Sequence, residues 1–363
     1  MSIKIVIIGA TGTLGTKLIN YCHKKSIHID TITYFKNKKK AYSFKKNFGI
    51  KNHFCLDDKK EKNLFIKYIS STPIDLIYFL DFGSESLYYA YHFLKNNSKS
   101  VIAIANKEML LAGGKILTKF IKRTSNTLIP LDSEHFSLIN STTDSNLISK
   151  VYITASGGPF YFKKNINLNN VNFQNVIMHP KWKMGINNSI DSSNFINKIL
   201  EIHELSIIYD IDIKKISFLI SKNAFVHSII KYKDGTISLN CFKNDMLISL
   251  IKPLRDFYHL DDYKVEDKYI LNLSNYEFLE FKDKRFKITK YLKLLKNLSH
   301  DKLIRFMILN NIAHKKYIDN EHKYNDIVPF IINRIDNKKK TFRNFNSILK
   351  YISQLKNYYE DIP

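Results

Sequence analysis

An α/β fold is what this sequence predicts, on three observations. Short Ile- and Val-rich runs alternate with longer amphipathic segments through the first third of the chain. The first run exits into the glycine-rich turn Gly9-Ala10-Thr11-Gly12-Thr13-Leu14-Gly15. Polar residues follow later runs directly, at Ala105-Asn106-Lys107-Glu108 and Leu131-Asp132-Ser133-Glu134-His135. Parallel sheets give this rhythm because each crossover needs a helix, and they gather functional groups beyond the carboxyl ends of their strands.

The strands of that sheet are read at residues 3–8, 29–34, 74–80, 101–104 and 127–131. From about 151 to 255 the pattern changes. Strand-like segments at 151–154, 215–220, 228–233 and 236–239 surround one long helical stretch at 192–209, which predicts an α+β domain. A polar stretch at 256–284 reads as a linker. Apolar residues at helical spacing follow, from Leu292, Leu295 and Leu298 to Ile348, Ile352 and Leu355, and predict a helical bundle.

Composition narrows the class. With 363 residues the chain has room for a large core divided into two or three domains, and 44% apolar residues exclude disorder. No run approaches the roughly 18 apolar residues of a membrane helix, so no membrane partner is expected. The strand-like run so close to the start reads as leaving no signal or transit peptide. Cys22, Cys55 and Cys241 lie far apart without a CxxC, which reads as reduced thiols of a cytoplasmic protein. The net charge of +24 is spread along the chain and accompanies heavy use of Asn, Ile, Tyr and Phe as well as Lys. Those residues share A- and T-rich codons, so a coding bias accounts for the charge and no nucleic-acid partner is expected.

Glycines in a strand-to-helix turn let backbone N–H groups approach a pyrophosphate at the helix N-terminus, so the first turn reads as a dinucleotide site. An NAD site places an acid at the end of the second strand. Here Tyr34-Phe35-Lys36-Asn37-Lys38 puts cations where a 2′-phosphate would sit, which favours NADPH. Asp132 and Glu134, one residue apart after a strand, are oxygen donors for a hard divalent cation. Read alone, they are better taken as an N-cap, from Asp132 or Ser133, and a first-turn acid, Glu134. The Asn-Lys-Glu of residues 106–108 alone reads as capping. Thr154-Ala155-Ser156-Gly157-Gly158-Pro159-Phe160 reads as a phosphate loop or an ordinary tight loop. In the long helix Asn194, Asn197, Lys198 and Glu201 fall at i, i+3, i+4 and i+7, and Glu204 continues the row, so Glu201 is a candidate third metal ligand. His179-Pro180-Lys181-Trp182-Lys183-Met184-Gly185 contains the only tryptophan and reads as a lid loop.

Taken in order, GATGTLG, ANKE, LDSEH, SGGPF, HPKWKMG, SIDSSNFINKILE and VHSIIKYKDGT resemble the 1-deoxy-D-xylulose 5-phosphate reductoisomerases of non-mevalonate isoprenoid synthesis, convincingly to about residue 240 and weakly beyond. The resemblance implies a Rossmann-like NADPH-binding domain at 1–132 and a domain at 133–255 for metal, substrate and dimerisation. The 256–284 linker and a helical domain at 285–363 would complete a homodimeric enzyme. Thr11, Gly12, Thr13 and Leu14 would then bind the cofactor phosphates, Lys36 and Asn37 the 2′-phosphate region, and Asn106, Lys107, Glu108 and Gly185 the rest of NADPH. Asp132, Glu134 and Glu201 would hold Mg²⁺ or Mn²⁺. Ser133, Ser156, His179, Trp182, Ser192, Asn197, Lys198 and Glu201 would contact the sugar phosphate, with Glu134, Lys107 and His179 catalytic. The implied reaction breaks and re-forms a C–C bond, then reduces the branched aldehyde to 2-C-methyl-D-erythritol 4-phosphate.

The chain departs from the family pattern at Phe35, at Ile186-Asn187 in place of a basic pair, at Ser221-Lys222-Asn223-Ala224, which loses a histidine, and at Leu247 in place of an arginine. None is a proposed ligand, so the expectation is lowered efficiency. Another Rossmann-type NADPH reductase would explain the first turn but not the three carboxylates and phosphate residues. A catalytically decayed nucleotide-binding protein would explain the fold but not the survival of so many site residues.

Overall fold

The computed structural model describes residues 3–141, 144–178, 185–260, 275–336 and 339–360. They form two compact units, Met1–Phe136 with Asp245–Lys264, and Ser137–Asn244 with Val265–Pro363.

The first unit alternates β1 (Ile5–Ile8), α1 (Thr13–Lys24), β2 (Thr31–Tyr34), α2 (Lys38–Phe48), β3 (Asn52–Cys55), α3 (Lys59–Ser71), β4 (Leu76–Phe79), α4 (Ser86–Asn96), β5 (Val101–Ile104), α5 (Lys107–Arg123), β6 (Thr127–Pro130) and the single turn α6 (Ser133–Phe136). The sheet order is β3-β2-β1-β4-β5-β6 and every pairing is parallel. This is the doubly wound order, whose ligand crevice lies where the winding reverses, between β1 and β4. Strands β1, β2, β4 and β5 are buried at every position, as strands covered by helices on both faces must be. Strand β3 escapes the sequence reading because Asn52 and His53 interrupt its apolar run. It is the edge strand and half-buried throughout, so its position does not demand one.

The second unit is built on β7 (Ile148–Ala155), β8 (Ile216–Ile220), β9 (Val226–Tyr232), β10 (Ile237–Cys241) and β11 (Leu279–Glu280), in the order β10-β9-β7-β8-β11. Only β7 and β8 pair in parallel. Its helices are α7 (Phe173–Ile177), α8 (Ile186–Ser193) and α9 (Ile196–Tyr209), while α10 (Leu247–Ile251) belongs to the first unit. After these come α11 (Leu292–Lys296), α12 (His300–Ile318), α13 (Ile327–Arg334) and α14 (Phe345–Glu360).

Three boundaries fall differently from the sequence reading. The helical stretch at 192–209 is two helices, because the Asn194 side chain accepts the Ile196 N–H at 2.9 Å and Phe195 takes a left-handed backbone, φ +66°. Residues 279–280 of the presumed linker pair with β8, and neighbouring Phe281 and Phe286 enter the core beside Phe195. The segment Asp245–Lys264 packs with the first unit: Leu250, Ile251 and Leu254 are fully buried, and Lys17 pairs with Asp245 at 2.5 Å. A buried hydrogen bond from the Tyr78 hydroxyl to the Leu250 carbonyl, 2.9 Å, fixes that return.

Tyr78→Phe leaves that carbonyl without its donor, and we expect a loss of about 1–3 kcal/mol of stability in urea melts of the full chain. An unchanged midpoint would mean that apolar packing alone holds the segment.

Candidate active site

The carboxyl edge of the parallel sheet is assembled from strand exits. Strand β1 leaves through Gly9, which has φ +81°; a Cβ there would lie 2.6 Å from the Asp81 amide nitrogen, so only glycine fits. Gly12 then begins α1 with extended backbone and no side-chain cap, which leaves the first N–H groups of the helix available to an anion. At the exit of β2 the exposed Lys36 precedes Asn37, whose side chain accepts the Lys40 N–H at 3.1 Å and caps α2. The Lys40 ammonium donates to the Thr11 carbonyl at 3.1 Å and ties this exit to the glycine-rich turn.

Strand β4 exits at Asp81. Its carboxylate accepts from Ser86 and from the Asn106 amide at 3.1 Å, and the same amide donates to the Gly83 carbonyl at 3.0 Å. The Asn106 oxygen caps α5 by accepting the Met109 N–H at 2.9 Å, so one buried side chain links two strand exits. Burial pushes the Asp81 carboxyl up to about 6, against the hydrogen bonds from Ser86 and Asn106 that lower it.

Next along the edge, the Lys107 ammonium meets the Asp132 carboxylate at 2.5 Å. The other Asp132 oxygen accepts the Glu134 N–H at 3.2 Å, and the Glu134 carboxylate accepts from the Ser133 hydroxyl. Asp132 is therefore both an N-cap and one of two carboxylates whose oxygens lie within 4.8 Å of each other. The capping reading holds, and the two carboxylates are close enough for a cation to be considered. His135, 1% exposed, places Nδ1 3.8 Å from Asp132.

In the second unit, α9 carries Glu201, 1% exposed, with Lys198 donating to one carboxylate oxygen at 2.6 Å and Asn197 to the other. Asn194, Lys198, Glu201 and Glu204 of the polar row are buried and Asn197 is half-buried, with Glu201 compensated by Lys198, and the neighbouring Phe195, Ile199 and Ile202 are buried too. Ser156 lies at the exit of β7. A Cβ on Gly158, φ +57°, would lie 3.0 Å from the Ser192 carbonyl oxygen, so the small-residue loop and the end of α8 abut.

The family model described as the 1-deoxy-D-xylulose 5-phosphate reductoisomerase C-terminal domain matches residues 128–209. The reductoisomerase of Pelagibacter ubique is 30% identical over 354 residues, covering 89% of this chain and 88% of that one. The chain belongs to the 1-deoxy-D-xylulose 5-phosphate reductoisomerase family. The apicoplastic reductoisomerase of Plasmodium falciparum is 26% identical and matches 99% of this chain and 82% of its own. Among solved structures, a DOX-P reductoisomerase in complex with NADPH, fosmidomycin and magnesium superposes with TM-score 0.84 over 98% of this chain and 96% of that one, at 23% identity. The Zymomonas mobilis reductoisomerase in complex with NADPH gives 0.82 over both whole chains, at 19% identity. The fold is the family's.

Within the family motifs, the structure pairs Lys107 with Asp132, Ser133 with Glu134, and Asn197 and Lys198 with Glu201. Thr11, Gly12, Thr13 and Leu14 form the first turn and the start of α1, while Glu108 sits in the first turn of α5 and Gly185 at the N-cap of α8. His179 and Trp182 lie outside the described residues. Of the departures, Ser221 is buried and Ala224 has φ +52°, so they shape a tight turn after β8. Retained His227 donates from Nε2 to the Phe242 carbonyl, 3.2 Å, and stacks on its ring.

Sequence reasoning missed Asp81 and Lys40. The signal for Asp81 was present, a lone acid ending the apolar run 74–80. Because its carboxyl is raised in the folded protein, the proton it keeps favours the fold below the unfolded value near 3.8, and that contribution is lost as pH rises through about 6. We expect Asp81→Asn to remove this decline between pH 4 and 6, read from melting temperatures of both proteins across that range. Parallel curves would place the decline elsewhere.

Proposed function

We propose that the chain converts 1-deoxy-D-xylulose 5-phosphate to 2-C-methyl-D-erythritol 4-phosphate with NADPH and Mg²⁺ or Mn²⁺. The observation that carries the reading is the Asp132-Ser133-Glu134 turn braced by Lys107, in a chain related along nearly its whole length to named reductoisomerases.

The residues suit both groups. The glycine-only approach at Gly9 and the uncapped start of α1 fit a pyrophosphate, with Thr11, Gly12, Thr13 and Leu14 around it and Lys36 and Asn37 toward a 2′-phosphate. Bound there, NADPH supplies the hydride. Asp132 and Glu134 of the first unit and Glu201 of the second are the proposed metal ligands; all three offer carboxylate oxygens, the donors a hard cation takes. Bound there, Mg²⁺ or Mn²⁺ supplies Lewis-acid stabilisation of negative charge on the substrate oxygens.

The chain's own groups do the rest. Ser156, Ser192, Asn197 and Lys198 are the proposed phosphate ligands, with Ser133 toward the sugar. In this reading Lys107, one hydrogen bond from Asp132, donates to a substrate oxygen as its charge grows, and Glu134 takes or returns a hydroxyl proton. Phosphate contacts remote from the reacting carbons use binding energy to orient the sugar. His179 and Trp182, and the division into nucleotide, catalytic and helical domains, belong to the same proposal and rest on the sequence pattern and the resemblance.

The same reading includes a homodimer. Strand β10 is a sheet edge with Ile237 and Leu239 exposed, the kind of edge that a second chain covers. It also includes a cytoplasmic setting, supported by three free cysteines. No helix among the described residues is long and apolar enough to cross a membrane.

The decisive experiment follows NADPH absorbance on adding 1-deoxy-D-xylulose 5-phosphate with Mg²⁺ or Mn²⁺, then with chelator. Metal-dependent oxidation is expected, and its absence with NADPH still bound would sink the reading. Asp132→Asn and Glu201→Gln should each lower kcat by roughly 100-fold or more, since each removes a charge held against the reacting oxygens. Equal rates in wild type and both variants would remove these residues from the metal site.

A further inference from the structure

Asp191, on α8 immediately before Ser192, is a buried carboxylate with two partners from far along the chain. The Asn310 amide donates to both of its oxygens, at 2.9 and 3.1 Å, and His314 Nε2 lies 2.8 Å from one of them. Asn310 and His314 are four residues apart on one face of α12. Asp191, Asn310 and His314 are 6%, 3% and 1% exposed. Among the described residues the other polar atoms of these partners, His314 Nδ1 and Asn310 Oδ1, are buried without a hydrogen bond, so the hydrogen bonds of both side chains go to Asp191. A bare ring lone pair is cheaper to bury than an orphaned N–H, which makes Nε2 the donor.

A staple between two helices would need no such commitment at this position; apolar side chains do it at less desolvation cost. The place matters because the end of α8 is one wall of the proposed phosphate site. Ser192 follows Asp191, its carbonyl touches the Gly158 loop, and Asn194 then caps the helix that carries Asn197 and Lys198. The opposite wall is held by the same C-terminal part of the chain. Arg285, paired with Asp283, donates to the Tyr161, Lys163 and Lys164 carbonyls at 2.9, 2.5 and 3.3 Å, and the Phe160 ring packs edge-on against Tyr324.

We propose that Asp191, held by His314 and Asn310, is a positioning residue that sets Ser192 for the substrate's phosphate, so that α12 acts on substrate binding without touching substrate. This rests on the phosphate role given to Ser192 above.

The test compares His314→Leu, which removes the donor, with His314→Gln, whose amide nitrogen reaches the place of Nε2. His314→Leu should raise KM for 1-deoxy-D-xylulose 5-phosphate about ten-fold or more while kcat stays within about three-fold and KM for NADPH is unchanged; His314→Gln should recover most of the loss. Independently of turnover, inorganic phosphate should raise the melting temperature of wild type and His314→Gln but not of His314→Leu. If His314→Leu does not fold, Asn310→Ala, which keeps the histidine, should still raise KM for the sugar phosphate and weaken the phosphate shift. An unchanged KM in a folded variant overturns the proposal, as does a parallel loss in both substrates' KM, kcat and melting temperature. A wild type that binds phosphate in a His314-dependent way yet never oxidises NADPH keeps the positioning role and rejects the reaction. A wild type with neither response rejects both.

Discussion

The first unit depends on one constraint: in a sheet whose strands all run the same way, every strand ends on the same edge. The turn after β1, Asp81 after β4, Asn106 and Lys107 after β5 and Asp132 after β6 therefore need no further device to become neighbours. Their contacts follow the strand order. Gly9 abuts Asp81 because β1 pairs with β4, Asp81 bonds Asn106 because β4 pairs with β5, and Lys107 reaches Asp132 because β5 pairs with β6. A glycine is required at the first of these contacts for the same reason, since parallel neighbours this close leave no room for a Cβ.

Charge burial is the second constraint, and each carboxylate answers it differently. Asp132 has an ammonium and a backbone N–H; Glu201 has an ammonium and an amide; Asp191 has an amide and an imidazole. Asp81 has neutral donors, from Ser86 and Asn106, and burial drives its carboxyl upward. An adjacent lysine favours the charged form of Asp132 and of Glu201. Buried among neutral donors, Asp81 takes up its proton at a higher pH than a solvated carboxylate does.

These differences also explain what was legible beforehand. Fully buried strands announce themselves because both faces must be apolar, and β1, β2, β4 and β5 were read to within two residues. Edge strands carry no such demand: Asn52 and His53 hid β3, and β11 is only Leu279 and Glu280 in a polar stretch. Local motifs marked where strands end, since a glycine turn or an Asp-x-Glu after an apolar run sits at a strand exit in both cases. Long-range partners were not legible. Nothing near residue 191 signals His314, and nothing near residue 161 signals Arg285, because a hydrogen bond across more than a hundred residues leaves no spacing to read. The return of Asp245–Lys264 to the first unit is of the same kind, decided by a tyrosine hydroxyl 172 residues upstream.

The break at Asn194-Phe195 shows why periodicity misleads at a site. Continuous helical spacing would have carried the row through residue 194 unbroken, yet a bulky residue there takes the left-handed conformation, at a cost of roughly 1–2 kcal/mol. The surroundings over-determine it. The Phe195 ring is 1% exposed and lies 4.2 Å from Phe281, 4.9 Å from Phe286 and 6.0 Å from Phe218, while Asn194 caps the helix that restarts behind it. Burial of one aromatic side chain outweighs the backbone strain. The break lets α8 end at Ser192 and Ser193 while α9 begins afresh with Asn197 and Lys198 in its first turn. Two helix ends, rather than one helix face, thereby supply the polar groups of the second unit. The aromatic cluster that makes this possible is drawn partly from residues 281 and 286, beyond the sheet. The C-terminal part of the chain is thus a condition of the break between α8 and α9 rather than an appendage to the second unit.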